Sequence, residues 1–175
     1  MAGILEEKWV KGIAITTTIL AVVAAIASSR SSYFVAKAQL LTALEGSQWN
    51  YYQAKSIKQD LFETQQKAFQ VDMQGALSPQ QKEFLKKSID DYAKNMVRYD
   101  QEKQAIKKQA EATNKENAIV VRMGAQFSMA VVFSQIGIML SSVGALLKRK
   151  EIWIVGLVIG FISLLFLANG FLLLI

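Results

Sequence analysis

The chain has no cysteine and no histidine, and a single proline among its 175 residues. Without cysteine there are no disulfides, no thiolate metal sites and no thiol nucleophile. Without histidine, the usual general base and the commonest metal ligand are missing. No glycine-rich phosphate loop follows a strand-like segment. The acidic pairs Glu6–Glu7 and Asp90–Asp91 are adjacent in sequence. On a helix they point about 100° apart, so neither pair converges on one site. These absences point away from an enzyme, and neither a cofactor nor a metal is expected. The absence of cysteine suits either side of a membrane and leaves the compartment open.

What is present is divided sharply. Hydrophobic residues make up 52% of the chain beside 19% charged ones, and the two kinds are segregated. The ends are apolar and the middle carries nearly all the charge, which is the pattern of a membrane protein with one polar insert. Trp9–Ala27 is apolar apart from Lys11, and is flanked by Glu6, Glu7 and Lys8 before it and Arg30 after it. About 19 residues at 1.5 Å each just cross a hydrocarbon core of roughly 30 Å. Gly124–Leu147 and Ile152–Ile175 are charge-free runs of about 24 residues, long enough to span with some tilt. The expected organisation is a first span within residues 1–30, an extramembrane segment at 31–122, a second span at 123–147, a short basic loop at 148–151 and a third span at 152–175. Ala25-Ile26-Ala27 has the form of a signal-peptidase site, and with Met1 at the start the first run is expected to be an uncleaved signal-anchor. Lys8, Lys11, Lys148, Arg149 and Lys150 share one side of a three-span protein. The positive-inside rule puts that side, with the N-terminus, in the cytoplasm and the long middle outside. The net charge of +6 comes from lysines mixed with acids, not from a basic block, so nucleic acid is not an expected partner.

The middle is rich in Gln, Ala, Lys, Glu and Leu, all good helix formers. Its one strong break is "QGALSPQQ". Gly75 suits a helix C-cap, Ser78 an N-cap, Pro79 the first helical position and Gln81 the partner in a capping box. Ser31–Gln74 and Pro79–Arg122 are each about 44 residues, roughly 66 Å if helical. Equal arms that leave and re-enter one membrane surface predict a long antiparallel helical hairpin turning near 75–78. The second arm repeats every four and three residues through Leu85, Ile89, Tyr92, Met96, Tyr99, Lys103, Ile106, Ala110 and Thr113, as in a coiled coil. The spacing continues into the second span and predicts one helix from Pro79 to about Leu147. In the first arm Leu40, Leu44, Tyr51, Ala54, Ile57, Leu61 and Ala68 form the best apolar stripe, and Gly46 is a candidate interruption. The turn position places residues whose numbers add to about 153 opposite each other, so Glu45 is expected to face Lys108. The fold class is therefore all-α integral membrane, with three transmembrane helices and a coiled-coil-like hairpin between the first two.

Within the spans, small residues allow close backbone approach. Ala14, Ala21 and Ser28 mark a small face on the first span. Ala130, Ser134, Gly137, Ser141 and Ala145 mark one on the second. "GLVIG" puts Gly156 and Gly160 on the third. If spans one and two pair through their small faces, Gly156 and Gly160 remain for a neighbouring copy. No Asp, Glu, Lys, Arg or His occupies a span centre, which argues against proton relays, voltage sensors and most ion-coupled transport. Ser134, Gln135 and Ser141 are the candidate pore-lining or interhelical polar residues.

The segment "GSQWNYYQAKSIKQ" at 46–59 places Trp49, Tyr51 and Tyr52 among amides and lysines. The expected register lets Tyr51 enter the hairpin seam and leaves Trp49 and Tyr52 for another chain. All three are candidate interface residues, as are Gly156 and Gly160. The Trp-x-Tyr-Tyr-Gln-Ala-Lys run at Trp49–Lys55 follows the span "TTTILAVVAAIAS" and precedes a Lys/Gln/Glu-rich middle and a basic-linked pair of terminal spans. In these features the chain resembles a group of bacterial membrane proteins known as a domain of unknown function, family 4337. The resemblance implies a bacterial inner-membrane location and carries no catalytic or binding residues. The expected function is a non-enzymatic scaffold or accessory protein. Its partners are the lipid bilayer, copies of itself in a homo-oligomer, or another membrane protein complex. The alternative is an oligomeric channel lined by the second span.

Overall fold

In a computed structural model, which describes residues 2–172 with side chains from Trp9 onward, the chain forms three helices: α1 (Ala2–Asp72), α2 (Pro79–Leu146) and α3 (Lys150–Leu172). Residues 173–175 of the third expected span, and the side chains of Glu6, Glu7 and Lys8, lie outside the described residues. All three helices are long and apolar enough, by length and composition, to cross a membrane. The first apolar run and the first arm are not separate elements, because α1 passes through both without a break. Gly46 does not interrupt it: one glycine costs a helix roughly 1 kcal/mol, too little to break so long a run.

The link from α1 to α2 shows the capping expected from "SPQQ". The Ser78 backbone N–H donates to Gln81 Oε1 at 2.9 Å, and the Gln81 N–H donates back to Ser78 Oγ at 3.3 Å. Pro79 opens the helix, where its missing N–H leaves no bond unmade. The end of α1 differs from expectation. No described glycine has a positive φ, so Gly75 is not a left-handed cap, and its N–H closes a tight turn onto the Asp72 carbonyl at 3.0 Å. The left-handed residue lies instead in the second link, at Lys148, with φ 54°. There Arg149 N–H reaches the Gly144 carbonyl at 3.0 Å and Lys148 N–H the Ala145 carbonyl at 3.3 Å. This is the double bond pattern of a Schellman cap, built on a lysine that bears roughly 1–2 kcal/mol of backbone strain.

The chain forms two compact units, one made of residues up to Leu40 and from Asn117 onward, the other of Leu41–Glu116. In the first, large side chains seat against glycines. Leu20 fills the space over both Gly137 and Gly160, Phe127 lies against Gly170, and the Trp153 ring covers Gly12. Phe127 also stacks on Phe34 at 5.5 Å and meets Phe171 edge-on at 5.0 Å. Trp9 and Trp153 lie 6.5 Å apart. The inward face of α1 is Ile13, Thr16, Leu20, Val23 and Ala27. Ala14, Ala21 and Ser28, the small face expected to meet α2, point outward. A glycine recess packs best against a protruding side chain, so α1 presents Leu20 to it.

In the Leu41–Glu116 unit the two helices run antiparallel, and the register differs from expectation by roughly one to two turns. Glu45 accepts from Asn114 Nδ2 at 3.0 Å, where Lys108 was expected. Lys55 pairs with Glu102, and Phe62 packs between Tyr92 and Tyr99. The rings set it: Phe62 reaches both Tyr92 and Tyr99, and Phe69 reaches Tyr92. This register has a direct check. In the cysteine-free chain, an E45C/N114C pair is expected to form an intramolecular disulfide under mild oxidation, and an E45C/K108C pair is not. The opposite pattern would overturn the register.

Candidate functional site

The inner face of the first arm is not the apolar stripe the sequence suggested. Glu45, Gln48, Tyr52, Lys55, Gln59, Phe62, Gln66, Phe69 and Met73 are half-buried and alternate three and four apart, and Trp49, expected to be left for another chain, is half-buried beside them, as is Ser56. They oppose the expected second-arm seam, where Tyr99, Ile106, Ala110 and Thr113 are buried. Of the earlier stripe, Leu44, Tyr51, Ile57 and Leu61 are 47–67% exposed.

The aromatic run lies at the centre of this seam. Tyr52, not Tyr51, enters it: the two side chains exchange the places expected of them. Trp49 meets Tyr52 edge-on at 5.6 Å, and its indole N–H donates to Glu45 one turn back at 3.3 Å. Lys103 Nζ lies 5.3 Å over the Tyr52 ring and donates to Gln59 Oε1 at 2.9 Å. Tyr51 stays outside, with Lys55 Nζ 5.1 Å from its ring. The same ammonium lies 5.1 Å from the buried Tyr99 ring and pairs with Glu102 at 2.5 Å. Arg98 covers Tyr99 at 5.1 Å. Phe62 continues the stack at 5.7 Å from Tyr99 and 5.2 Å from Tyr92, and Phe69 follows at 5.6 Å from Tyr92.

The electrostatics hold this cluster charged. The hydrogen bond from Lys55 holds the Glu102 carboxyl below its usual range, and the hydrogen bond to Glu102 raises Lys55. Neither group is poised to exchange a proton near neutrality, so the cluster is suited to packing and recognition rather than to acid–base chemistry. Among the described residues no group of acids could hold a metal ion. Gln59 and Glu102 were not singled out from sequence, whereas Lys103 was placed on the second-arm seam and Lys55 in the Trp49–Lys55 run. The signal for Lys55 and Gln59 was the four-and-three spacing of Tyr52, Lys55, Gln59, Phe62, Gln66 and Phe69, which a search for apolar residues passes over.

In the other unit, the candidate polar residues of α2 separate. Ser134 and Ser141 are buried, while Gln135 lies on the exposed face. Ser163 Oγ donates to the Ala130 carbonyl at 2.8 Å. That assignment makes Ser134 the donor in the 2.5 Å contact between the two hydroxyls. Gly156 and Gly160 are buried inside the chain. A Cβ at Gly156 would lie 3.0 Å from the Gly137 carbonyl oxygen, and one at Gly160 2.8 Å from Leu20. The glycine face expected to remain for a neighbour is therefore occupied by α2 and Leu20. The three candidate pore residues do not share a surface.

A family model for a domain of unknown function, DUF4337, matches residues 9–173, and the chain belongs to that family. Nothing among curated proteins or solved structures matches it.

Proposed function

We propose that this DUF4337 protein is a non-enzymatic membrane scaffold that assembles with copies of itself. The carrying observation is the uncovered stripe of α1. Leu44, Tyr51, Ile57, Leu61 and Val71 are 47–67% exposed, while Lys55, Gln59 and Gln66 occupy the inner seam. Phe62 and Phe69 face the second arm, but these five large apolar side chains remain uncovered. Exposed apolar surface rimmed by polar residues marks an interaction site. Copies of one chain in one membrane share an orientation, so identical stripes meet at the same height.

The three apolar helices serve as spans in this reading. The basic residues Lys148, Arg149 and Lys150 favour a cytoplasmic short link, with Leu41–Glu116 on the periplasmic side of a bacterial inner membrane. The channel reading is less favoured, because Ser134 is engaged with Ser163 and Gln135 faces away from both buried serines.

The test is a combined Tyr51→Ser, Ile57→Ser and Leu61→Ser variant, with mass measured in native nanodiscs. The parent is expected to be oligomeric, and the variant to associate at least ~10-fold more weakly, the loss typical of interface anchors. A monomeric parent would sink the reading.

A further inference from the structure

Gln135 stands near the middle of the charge-free run Gly124–Leu147, yet its side chain is on the exposed face of α2 and bonds to no described residue. Its neighbours one turn away on that face are apolar: Val132 is 47% and Met139 62% exposed. Several hydroxyls of the apolar runs are treated differently. Thr16, Thr17 and Thr18 donate to carbonyls of their own helix at 2.8–3.0 Å, and Ser142 does so to Ile138 at 2.9 Å. Ser134 bonds to Ser163. A hydroxyl reaches back to its own helix readily. A glutamine amide carries two donors and a carbonyl acceptor and projects away from the backbone. In hydrocarbon an unpaired amide is costly, and membrane helices relieve it by bonding across to another helix.

We infer that Gln135 pairs with Gln135 of a second copy, across an interface formed by the outer face of α2 with Val132 and Met139 beside it. The inference rests on the proposed membrane-spanning homo-oligomer and names its intramembrane contact. The chemistry selects the occupant. An amide donates and accepts at once, so two of them are mutually complementary. Two copies inserted in the same sense place this residue at the same depth. A two-fold axis along the membrane normal brings the pair together, and the apolar neighbours exclude competing groups. Mid-run placement sets Gln135 away from lipid headgroups, which could otherwise satisfy it.

The experiment uses the full chain in phosphatidylethanolamine–phosphatidylglycerol vesicles, with association followed by energy transfer as lipid is added. Gln135→Leu is expected to weaken association about 5- to 30-fold, and Gln135→Asn to fall between it and the parent. A single Met139→Cys is expected to give disulfide-linked dimers on oxidation, and Val158→Cys, on the exposed face of α3, is not. If the parent associates and Gln135→Leu associates equally well, this inference fails alone. Crosslinking through Val158→Cys and not Met139→Cys also overturns it. A parent monomeric at every lipid ratio removes the homo-oligomer reading together with it.

Discussion

Gly156→Leu is expected to separate α3 from α2. A Cβ at this position would lie 2.9 Å from Ser141 Oγ, 3.0 Å from the Gly137 carbonyl oxygen and 3.2 Å from Ser141 N. Two of these atoms are backbone, so no side-chain rotation relieves the clash and the helices must move apart. Overfilling a well-packed core by a few methylenes costs about 1–3 kcal/mol, and leucine here stands at the upper end or beyond it. The separation also strains the Ser134–Ser163 contact, which lies on the same helix pair. An S134C/S163C pair should therefore form its disulfide readily in the parent and at least ~10-fold more slowly in Gly156→Leu, while thermal unfolding in micelles moves to lower temperature. Val155→Leu, on the exposed side of α3, is the control and is expected to change neither. Gly160 sharpens the test. The three nearest atoms to its Cβ belong to the Leu20 side chain, so Gly160→Ala should be milder and Leu20→Ala should relieve it. Equal damage at Gly156 and Gly160 would contradict this account of the packing.

Phe62→Ala is expected to loosen the Leu41–Glu116 unit more than any other single truncation there. Phe62 links the two rings of α2, Tyr92 at 5.2 Å and Tyr99 at 5.7 Å. Its neighbours on the seam are mostly polar, so little apolar contact takes over its share. Fully buried phenylalanines cost about 3–5 kcal/mol when cut to alanine. Phe62 is half-buried, which suggests roughly 2–4 kcal/mol on the same scale. Amide hydrogen exchange near Phe62 should accelerate by about 30- to 1000-fold if opening of the arms controls it. Leu61→Ala, one residue away on the exposed face, is expected to leave exchange nearly unchanged under conditions where the chain is monomeric. Similar acceleration in both would mean that the outer stripe, not Phe62, faces the second arm.

Much of the fold was legible. The Ser78–Gln81 capping box was readable because both residues act on the backbone beside them. The second-arm seam was readable because Leu85, Tyr92, Tyr99 and Ile106 are large and apolar at coiled-coil spacing. The first arm was misread for a physical reason. Leu44, Ile57 and Leu61 are its most apolar residues, and ordinarily they would be buried. But Phe62 and Phe69 stack on Tyr92 and Tyr99 of α2, and Lys55 pairs with Glu102. Tyr52, Lys55, Gln59, Phe62, Gln66 and Phe69 recur three and four apart, so that face turns inward, and Tyr51, Ile57 and Leu61 are left exposed.

By itself the sequence determined the element types, the location of the α1–α2 link and the three apolar runs, because helix propensity, capping and hydrophobic length are local properties. Tertiary structure alone decided which face of each helix is spent inside the chain. Gly156 went to the small face of α2 at Gly137 and Ser141, since small residues let backbones approach closely, and Gly160 went to Leu20, since a recess accepts a protruding side chain. Tyr52 went to the seam and Tyr51 to the surface, since Tyr52 shares the three-and-four spacing of Phe62 and Phe69, which stack on the rings of α2. The same choice left Gln135 pointing away from the chain's own helices.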